Sequence, residues 1–301
     1  NRSRRPPRPG HLMGRPTTTK MQSQLYLGQN ALRVPRNPIA GKQVVLAGEA
    51  CYQIANYDQM RPFFMTVVSD ADHWLFISSN GGLTAGRRDA NLALFPYYTD
   101  DKIRDMADVT GSKTLLRVHR RGRTHLWEPF SDRAQGIYRV RRNLYKNFWG
   151  NQLMFEEINE DLALTFRYGW FNSQQFGFVR RAWLINAGAA AVRVTLLDGV
   201  QNLMPCGTGS QFNLEYSTLH DAYKKSELLP KTGLGLFRLS AIPVDRPEPA
   251  EALRTTVAWS VGLKRQLVLL SSVQLDGFRT GQSLHPETDV RAERGAYFVQ
   301  S

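Results

Sequence analysis

LALTFRYGW, residues 162–170, decides the fold class. Leu162, Leu164, Phe166, Tyr168 and Trp170 fall on one parity and Ala163, Thr165, Arg167 and Gly169 on the other. A period of two is that of a half-buried strand, not of a helix. The next segments, FGFVRRAWLINAG and AAVRVTLLDGV, read the same way and are separated by Asn186, Ala187 and Gly188, a turn composition. The three are therefore expected to form an antiparallel meander, with Val192, Val194 and Leu196 facing in and Arg193 and Thr195 out. Outward from this centre, strand patterns recur at KQVVLAG, RPFFMTVVS, HWLFISS, KTLLRVHRRGRTHLWEPF (a hairpin turning at Arg121 and Gly122), TVAWSVGL and RQLVLLSSVQL. Many strands at short spacing with few helical periods predict a large β-sandwich. One helix is expected in QFNLEYSTLHDAYKKSELLP, where Phe212, Tyr216, Leu219 and Tyr223 recur at helical steps and Pro230 ends the run. A shorter one is expected from Thr99, whose hydroxyl is placed to cap while Asp100 and Asp101 favour the first turn.

The 301-residue chain is 42% hydrophobic, enough for a real core, and carries a formal charge of +13. That charge is local: Arg2, Arg4, Arg5, Arg8, Arg15, Lys20, Arg33, Arg36 and Lys42 lie in the first 48 residues with no acid among them. The remainder is nearly balanced, so a nucleic-acid partner is not expected. Residues 1–20, rich in Arg and Pro, read as a flexible basic tail or an added segment, and residues 21–301 as a single domain cut from a longer protein. No apolar run approaches the ~18 residues of a membrane helix. The chain is thus read as soluble, with no membrane partner and with the cytoplasm as the preferred compartment. Cys51 and Cys206 read as two separate thiols.

Candidate chemistry is sparse. The carboxylate neighbours Glu156 with Glu157, Glu160 with Asp161, and Asp100 with Asp101 would have to converge to act as an acid and base, but adjacent strand residues point to opposite faces. They are expected at solvated edges and turns. His119 and His125 flank the Gly122 turn and could face each other, without a third metal ligand. No phosphate-cradling Gly loop and no G-x-S-x-G elbow occurs. No cofactor or metal is expected.

The most unusual stretch is SSNGGLTAGRRDANLALFPYYTDD, residues 78–101, which reads as a long loop whose Leu94, Phe95, Pro96 and Tyr97 anchor it to the body. Arg87 and Arg88 are expected near its tip, one tethered to an Asp and the other pointing outward. HWLFISSNGGLTAGRRDANLALFPYYTDDKIRD, followed by TGSKTLLRV and RTHLWEPFSD, resembles the amino-terminal region of glycoside phosphorylases of the cellobiose and chitobiose type, glycoside hydrolase family 94. The residues that carry the resemblance are Ser79, Gly81, Gly82, Arg87, Arg88, Leu94, Phe95, Pro96, Tyr97, Asp100, Asp101, Trp127 and Pro129. FRYGWFNSQQFGFVRRAWLINAGAAAVRVTLLDGVQ resembles the strands of the same domain. The resemblance spans about residues 40 to 300, most sharply 75 to 130, and departs from the family pattern where Leu83, Thr84, Ala85 and Gly86 replace an aromatic step.

It implies a galactose mutarotase-like β-supersandwich with one or two short helices. It also implies that the catalytic Asp and the phosphate-binding residues belong to a following (α/α)₆ helical domain of the same chain. This chain would then be a non-catalytic domain that packs on that barrel, supports a possible homodimer and contributes to carbohydrate binding. Asn80, Arg87, Arg88, Tyr97, Asp100 and Trp127 are the implied contacts with carbohydrate or with the partner domain. Two alternatives are an aldose 1-epimerase, which needs a His and a carboxylate in one cleft, and a carbohydrate-binding module with Trp127, Trp170 or Phe171 as its platform. For those aromatics core packing is the expected use.

Overall fold

The computed structural model describes residues 24–33, 37–241, 254–264 and 266–301, without the side chains of Asp100 and Asp101. The basic tail lies outside the described residues. The described residues fall into two compact units, divided between Leu32 and Arg33. In the first, β1 (Tyr26–Leu27) and β2 (Asn30–Ala31) form a small antiparallel hairpin.

The second unit is mainly β. It begins with β3 (Ala40–Leu46), β4 (Glu49–Ala55), β5 (Phe64–Val67), β6 (His73–Ser78), β7 (Leu83–Arg87), β8 (Ala93–Phe95) and helix α1 (Asp100–Asp105). Next come β9 (Gly111–Arg120), β10 (Arg123–Trp127), β11 (Val140–Asn147), β12 (Gln152–Asn159), β13 (Leu164–Ser173), β14 (Gly177–Asn186) and β15 (Arg193–Leu203). Helices α2 (Ser210–Glu215) and α3 (Ser217–Ala222) precede β16 (Lys224–Leu229), β17 (Leu234–Leu239), β18 (Thr256–Ala258) and β19 (Leu267–Leu269). Helix α4 (Leu275–Arg279), β20 (Asp289–Arg291) and β21 (Gly295–Gln300) complete it. All pairings are antiparallel, in sheets ordered β14-β13-β12-β11-β4-β3, β10-β9-β15-β21-β19, β18-β17-β16-β20 and β5-β6-β7-β8.

Leu162, Leu164, Phe166, Tyr168 and Trp170 all enter one core, as their parity predicts. They meet Leu75, Ile77 and Leu83 of the β5–β8 sheet and Leu116, Val118 and Trp127 of the five-stranded sheet. That five-stranded sheet is buried on its other face too, where Leu115, Leu197 and Phe298 pack with Leu275 and Phe278 of α4. Arg117 fixes this helix: its guanidinium lies 4.1 Å from the Phe278 ring and donates to the carbonyls of Phe278 at 2.6 Å and Gln282 at 2.7 Å. The sandwich is thus built on a middle layer covered on both sides. The hairpin at Arg121 and Gly122 forms as its turn chemistry requires, with both residues at positive φ.

Three expectations are corrected. β14 does pair with β13, but β15 does not continue the meander; it crosses to lie between β9 and β21. Leu196 and Val200 pack on the main core while Leu197 enters the α4 cluster, so the middle of β15 is covered on both faces, as suits an interior strand. The single helix expected before Pro230 is instead two short helices, broken at Tyr216 (φ −128°, ψ 39°), followed by β16. Its presumed apolar stripe is turned outward, with Tyr216 and Leu219 exposed and Asn213 and His220 buried. The third correction is that residues 78–101 are not a long loop: they comprise a tight turn, β7, a 3₁₀ turn at Ala90–Leu92, β8 and the start of α1. Gly86 sits inside β7 because a Cβ there would fall 2.6 Å from the Leu92 carbonyl oxygen. There are four short helices in all among the described residues, none long and apolar enough to cross a membrane.

Candidate functional site

The turn between β6 and β7, the residues after α1, the start of β9 and the segment after β10 converge on a cleft of about 170 Å³. Asn80, Asp108, Lys113, Asp132, Arg133 and Tyr168 supply its most distinctive polar groups. The glycine turn is held against α1: Asn80 Nδ2 donates to the Arg104 carbonyl at 2.9 Å, and a Cβ on Gly82 would lie 2.0 Å from the Ile103 oxygen. Only glycine permits that approach.

Lys113 is buried and its ammonium is shared between Asp108 and Glu128. Arg279 grips Glu128 with two bonds of 2.9 Å, and Arg133 reaches Asp108 at 3.0 Å. Burial pushes both carboxyls up, but the hydrogen bonds and charges of these cations outweigh it and hold them below their ordinary values. Deeper, Arg180 donates to Asp198 at 2.7 and 2.8 Å and to Ser112 Oγ at 2.8 Å, while Thr114 Oγ1 donates to Asp198 at 2.5 Å. Ser112 and Thr114 are thereby fixed along one wall. Two cations and two carboxylates line the cleft, so its formal charge is zero.

Its opposite wall carries backbone strain. Phe130 has φ +64°, a left-handed conformation that a bulky side chain rarely adopts. It is held there by its N–H, which donates to Glu157 Oε2 at 2.7 Å, and by edge contacts of its ring with Phe155, Phe166 and Tyr168. Glu157 also accepts from Trp127 Nε1 at 2.7 Å and Arg142 Nε at 2.8 Å. One buried carboxylate therefore sets the course of Pro129–Arg133 past the cleft. Such strain persists where surrounding structure over-determines it, commonly at functional sites.

At the floor stands Tyr168. Only 3% of the residue is exposed, its ring stacks on Phe155 at 5.0 Å, and the Arg180 guanidinium lies 5.2 Å from it. Burial raises its phenol pKa well above the usual value against the opposing pull of Arg180 and Arg142. Its hydroxyl makes no hydrogen bond among the described residues and lies 3.4 Å from where a Gly81 Cβ would stand. A buried tyrosine normally finds a partner for its O–H. This one opens on the cleft.

Of the six implied contact residues, only Asn80 lines this cleft, together with Gly81 and Pro129 of the motif and Tyr168 of the strand that set the fold class. Trp127 is close in sequence but buried in the core, and Trp170 packs edge-on against Phe95, so neither is a stacking platform. Tyr97 meets the Trp74 ring at 5.8 Å, away from the cleft. Asp100 opens α1, and its side chain lies outside the description. Thr99 accepts from Ile103 N through its carbonyl at 3.0 Å, without the expected side-chain cap. Arg87 and Arg88 both converge on Asp72, at 2.9 and 3.6 Å, rather than dividing between tether and outward contact. Both are more than half exposed, so Arg87→Ala and Arg88→Ala should each alter unfolding free energy by no more than about 1 kcal/mol. Urea denaturation checks this; a loss above about 2 kcal/mol for either would show a tether stronger than its exposure allows.

Glu156 and Glu157 do face opposite ways, but neither is solvated. Glu156 is buried on the other face of β12, accepting from Asn143 at 2.8 Å, Tyr145 at 2.7 Å and Arg167 at 3.0 Å. His119 sits opposite Thr124, not His125, and bonds the hydroxyls of Thr124 and Thr195. Cys51 and Cys206 are free thiols, and no cluster of metal-ligating side chains occurs among the described residues. The sequence did carry a signal for Tyr168: one phenol among Leu, Phe and Trp on a core face must place its hydroxyl somewhere. Lys113, Arg180 and Phe130 gave none, because their roles depend on pairings between distant strands.

Compared with known proteins, the chain matches no family model and no curated sequence.

Proposed function

We propose that this β-sandwich is a non-catalytic carbohydrate-recognition domain of a larger carbohydrate-active protein, and that it binds a neutral sugar in the cleft over Tyr168. The observation that carries this reading is the tyrosine's unpartnered hydroxyl, opening from a buried ring into a polar cleft. A sugar hydroxyl both donates and accepts, so it satisfies a phenol that has no protein partner. The lining mixes apolar surface with polar groups whose charges balance, which favours polyols over anionic ligands. Asn80 and Ser112 add further polar groups to the lining.

The charged groups at the cleft serve one another: Lys113, Asp108, Glu128 and Arg279 form a chain of ion pairs that extends to Arg133 and Asp276. None of the described histidines lines the site, so the epimerase alternative finds no support here. The galactose mutarotase-like variety of sandwich and a helical catalytic domain packed beside it remain part of the proposal, resting on the motif resemblance.

Calorimetric titration with neutral mono- and disaccharides tests it, with uronic acids as charged controls. Neutral sugars are expected to bind, and Tyr168→Phe to weaken them about 2- to 12-fold, the worth of one hydrogen bond. Unchanged circular dichroism would confirm that the variant folds. Absence of binding at about 10 mM sugar, weaker than about −3 kcal/mol, would overturn the reading. So would equal binding by Tyr168→Phe.

A further inference from the structure

β14 is the terminal strand of the six-stranded sheet and the longest edge in the described structure, paired to β13 in unbroken register from Ser173↔Gly177 to Leu164↔Asn186. The other sheet edges in this unit are shorter, and the seven-residue β3 carries Lys42. Natural edges are guarded against pairing by short length, Lys, Pro, bulges or a covering element. β14 has no Lys, no Pro and no bulge, and its two charges, Arg180 and Arg181, both lie in its first half, which leaves Ala182–Asn186 without a charged guard.

Its second half is also apolar on both faces. Trp183 and Ile185, opposite Arg167 and Thr165, lie on the outer face, and Leu184, opposite Phe166, on the inner one. All three are 36 to 40% exposed despite belonging to a ten-residue strand. This is the composition of an interior strand standing at an edge.

We propose that β14 pairs antiparallel with β14 of a second copy of this chain, continuing the sheet across a two-fold axis at Trp183. The occupant follows from self-complementarity. A two-fold perpendicular to the sheet keeps each face on its own side, so the axis must pass through a residue rather than between two. Centred on Trp183, the pairing sets Ala182 against Leu184, small against large, and Arg181 against Ile185. Arg180 falls opposite Asn186 and is already neutralised by Asp198. A centre on Arg180 or Arg181 would oppose like charges, which destabilises a cross-strand pair. At Trp183 two indoles meet, an aromatic pair of the kind that stabilises antiparallel strands. The contact is one strand wide, less than a standard interface, so association in the micromolar range is expected.

Sedimentation velocity of the 301-residue chain through the micromolar range should show a monomer–dimer equilibrium. Trp183→Glu, which places two carboxylates on the axis, should leave only monomer while circular dichroism stays unchanged. The register is read independently by cross-linking in a Cys206→Ser background. Opposed residues in an antiparallel pair have Cα atoms ~4.5 or ~5.5 Å apart, both within disulfide reach. Trp183→Cys should therefore form a disulfide-linked dimer under mild oxidant, and Arg181→Cys alone should not. A wild-type chain that is monomeric throughout, a dimer that survives Trp183→Glu, or cross-linking at Arg181→Cys but not at Trp183→Cys would each overturn the proposal. None of these readouts involves sugar, so this pairing and the carbohydrate reading stand or fall separately.

Discussion

Glu157→Gln is expected to lower the unfolding free energy by about 3 to 5 kcal/mol, the cost of breaking a buried ion pair from one side. Arg142, with 13% of its side chain exposed, would keep only Asp132 at 3.4 Å and the Ser131 carbonyl at 3.1 Å. The loss reaches further because Glu157 also receives the Trp127 indole N–H and the Phe130 amide. An amide side chain has one acceptor oxygen and cannot serve all three donors. Phe130 would then lose the bond that holds its left-handed backbone, and Pro129–Arg133 would relax away from the cleft. Urea unfolding followed by Trp fluorescence measures the stability change, and sugar titration of the folded variant should show weakened binding. A double-mutant cycle with Arg142→Met identifies the origin: the pair should couple by more than about 1 kcal/mol, since residues in one network are not additive. A loss below about 1 kcal/mol for Glu157→Gln, or purely additive effects, would mean that this carboxylate does not organise the site.

Much of this architecture could be read from periodicity. LALTFRYGW gave a strand and its buried face, and the Arg121–Gly122 turn gave a hairpin, because local chemistry alone sets both. Misreadings fell where tertiary contacts override local pattern. In residues 78–101 the glycines suggested a loop, yet Gly82 and Gly86 are there because Ile103 and Leu92 leave no space for a side chain. Downstream, the helical spacing of Phe212, Tyr216 and Leu219 ran on into Lys224–Leu229, which is a strand with Lys224 and Ser226 buried. A buried lysine inverts the pattern that sequence reading relies on; here Asp221, 2.6 Å from its ammonium, makes that inversion tolerable. The cleft was least legible of all. The ion pairs behind it join residues as far apart in the chain as Lys113 and Arg279, and only the crossing of strands brings them together.

His220 should make the fold acid-sensitive in a window where carboxylates contribute little. It is fully buried in α3, with Nε2 3.0 Å from Thr208 Oγ1, Nδ1 without a partner, and the Phe212 ring edge-on at 5.6 Å. Burial, reinforced by the Lys224 ammonium and only partly offset by Asp221, pushes its pKa down to about 4. In the unfolded chain a histidine titrates near ~6.5. Between these values the unfolded state takes up a proton that the folded state refuses, so stability is complete above ~6.5 and falls as the pH drops toward 4. At pH 5 the gap amounts to about 2 kcal/mol. His73 shares the direction, its pKa lowered by burial and by Arg87, so His220 does not account alone for the whole-protein pH dependence. His220→Gln separates them. Its amide keeps a partner for Thr208 and cannot titrate, so the stability lost between pH 7 and pH 5 should shrink by about 2 kcal/mol relative to wild type. The carboxyls of Asp221, Asp108, Glu128 and Glu156 are all held below their ordinary values and take up protons lower still, outside this interval. Urea midpoints at the two pH values supply the comparison. Equal losses in wild type and His220→Gln would show that this imidazole accepts a proton in place, and that the α2–α3 segment opens to water more readily than its burial implies.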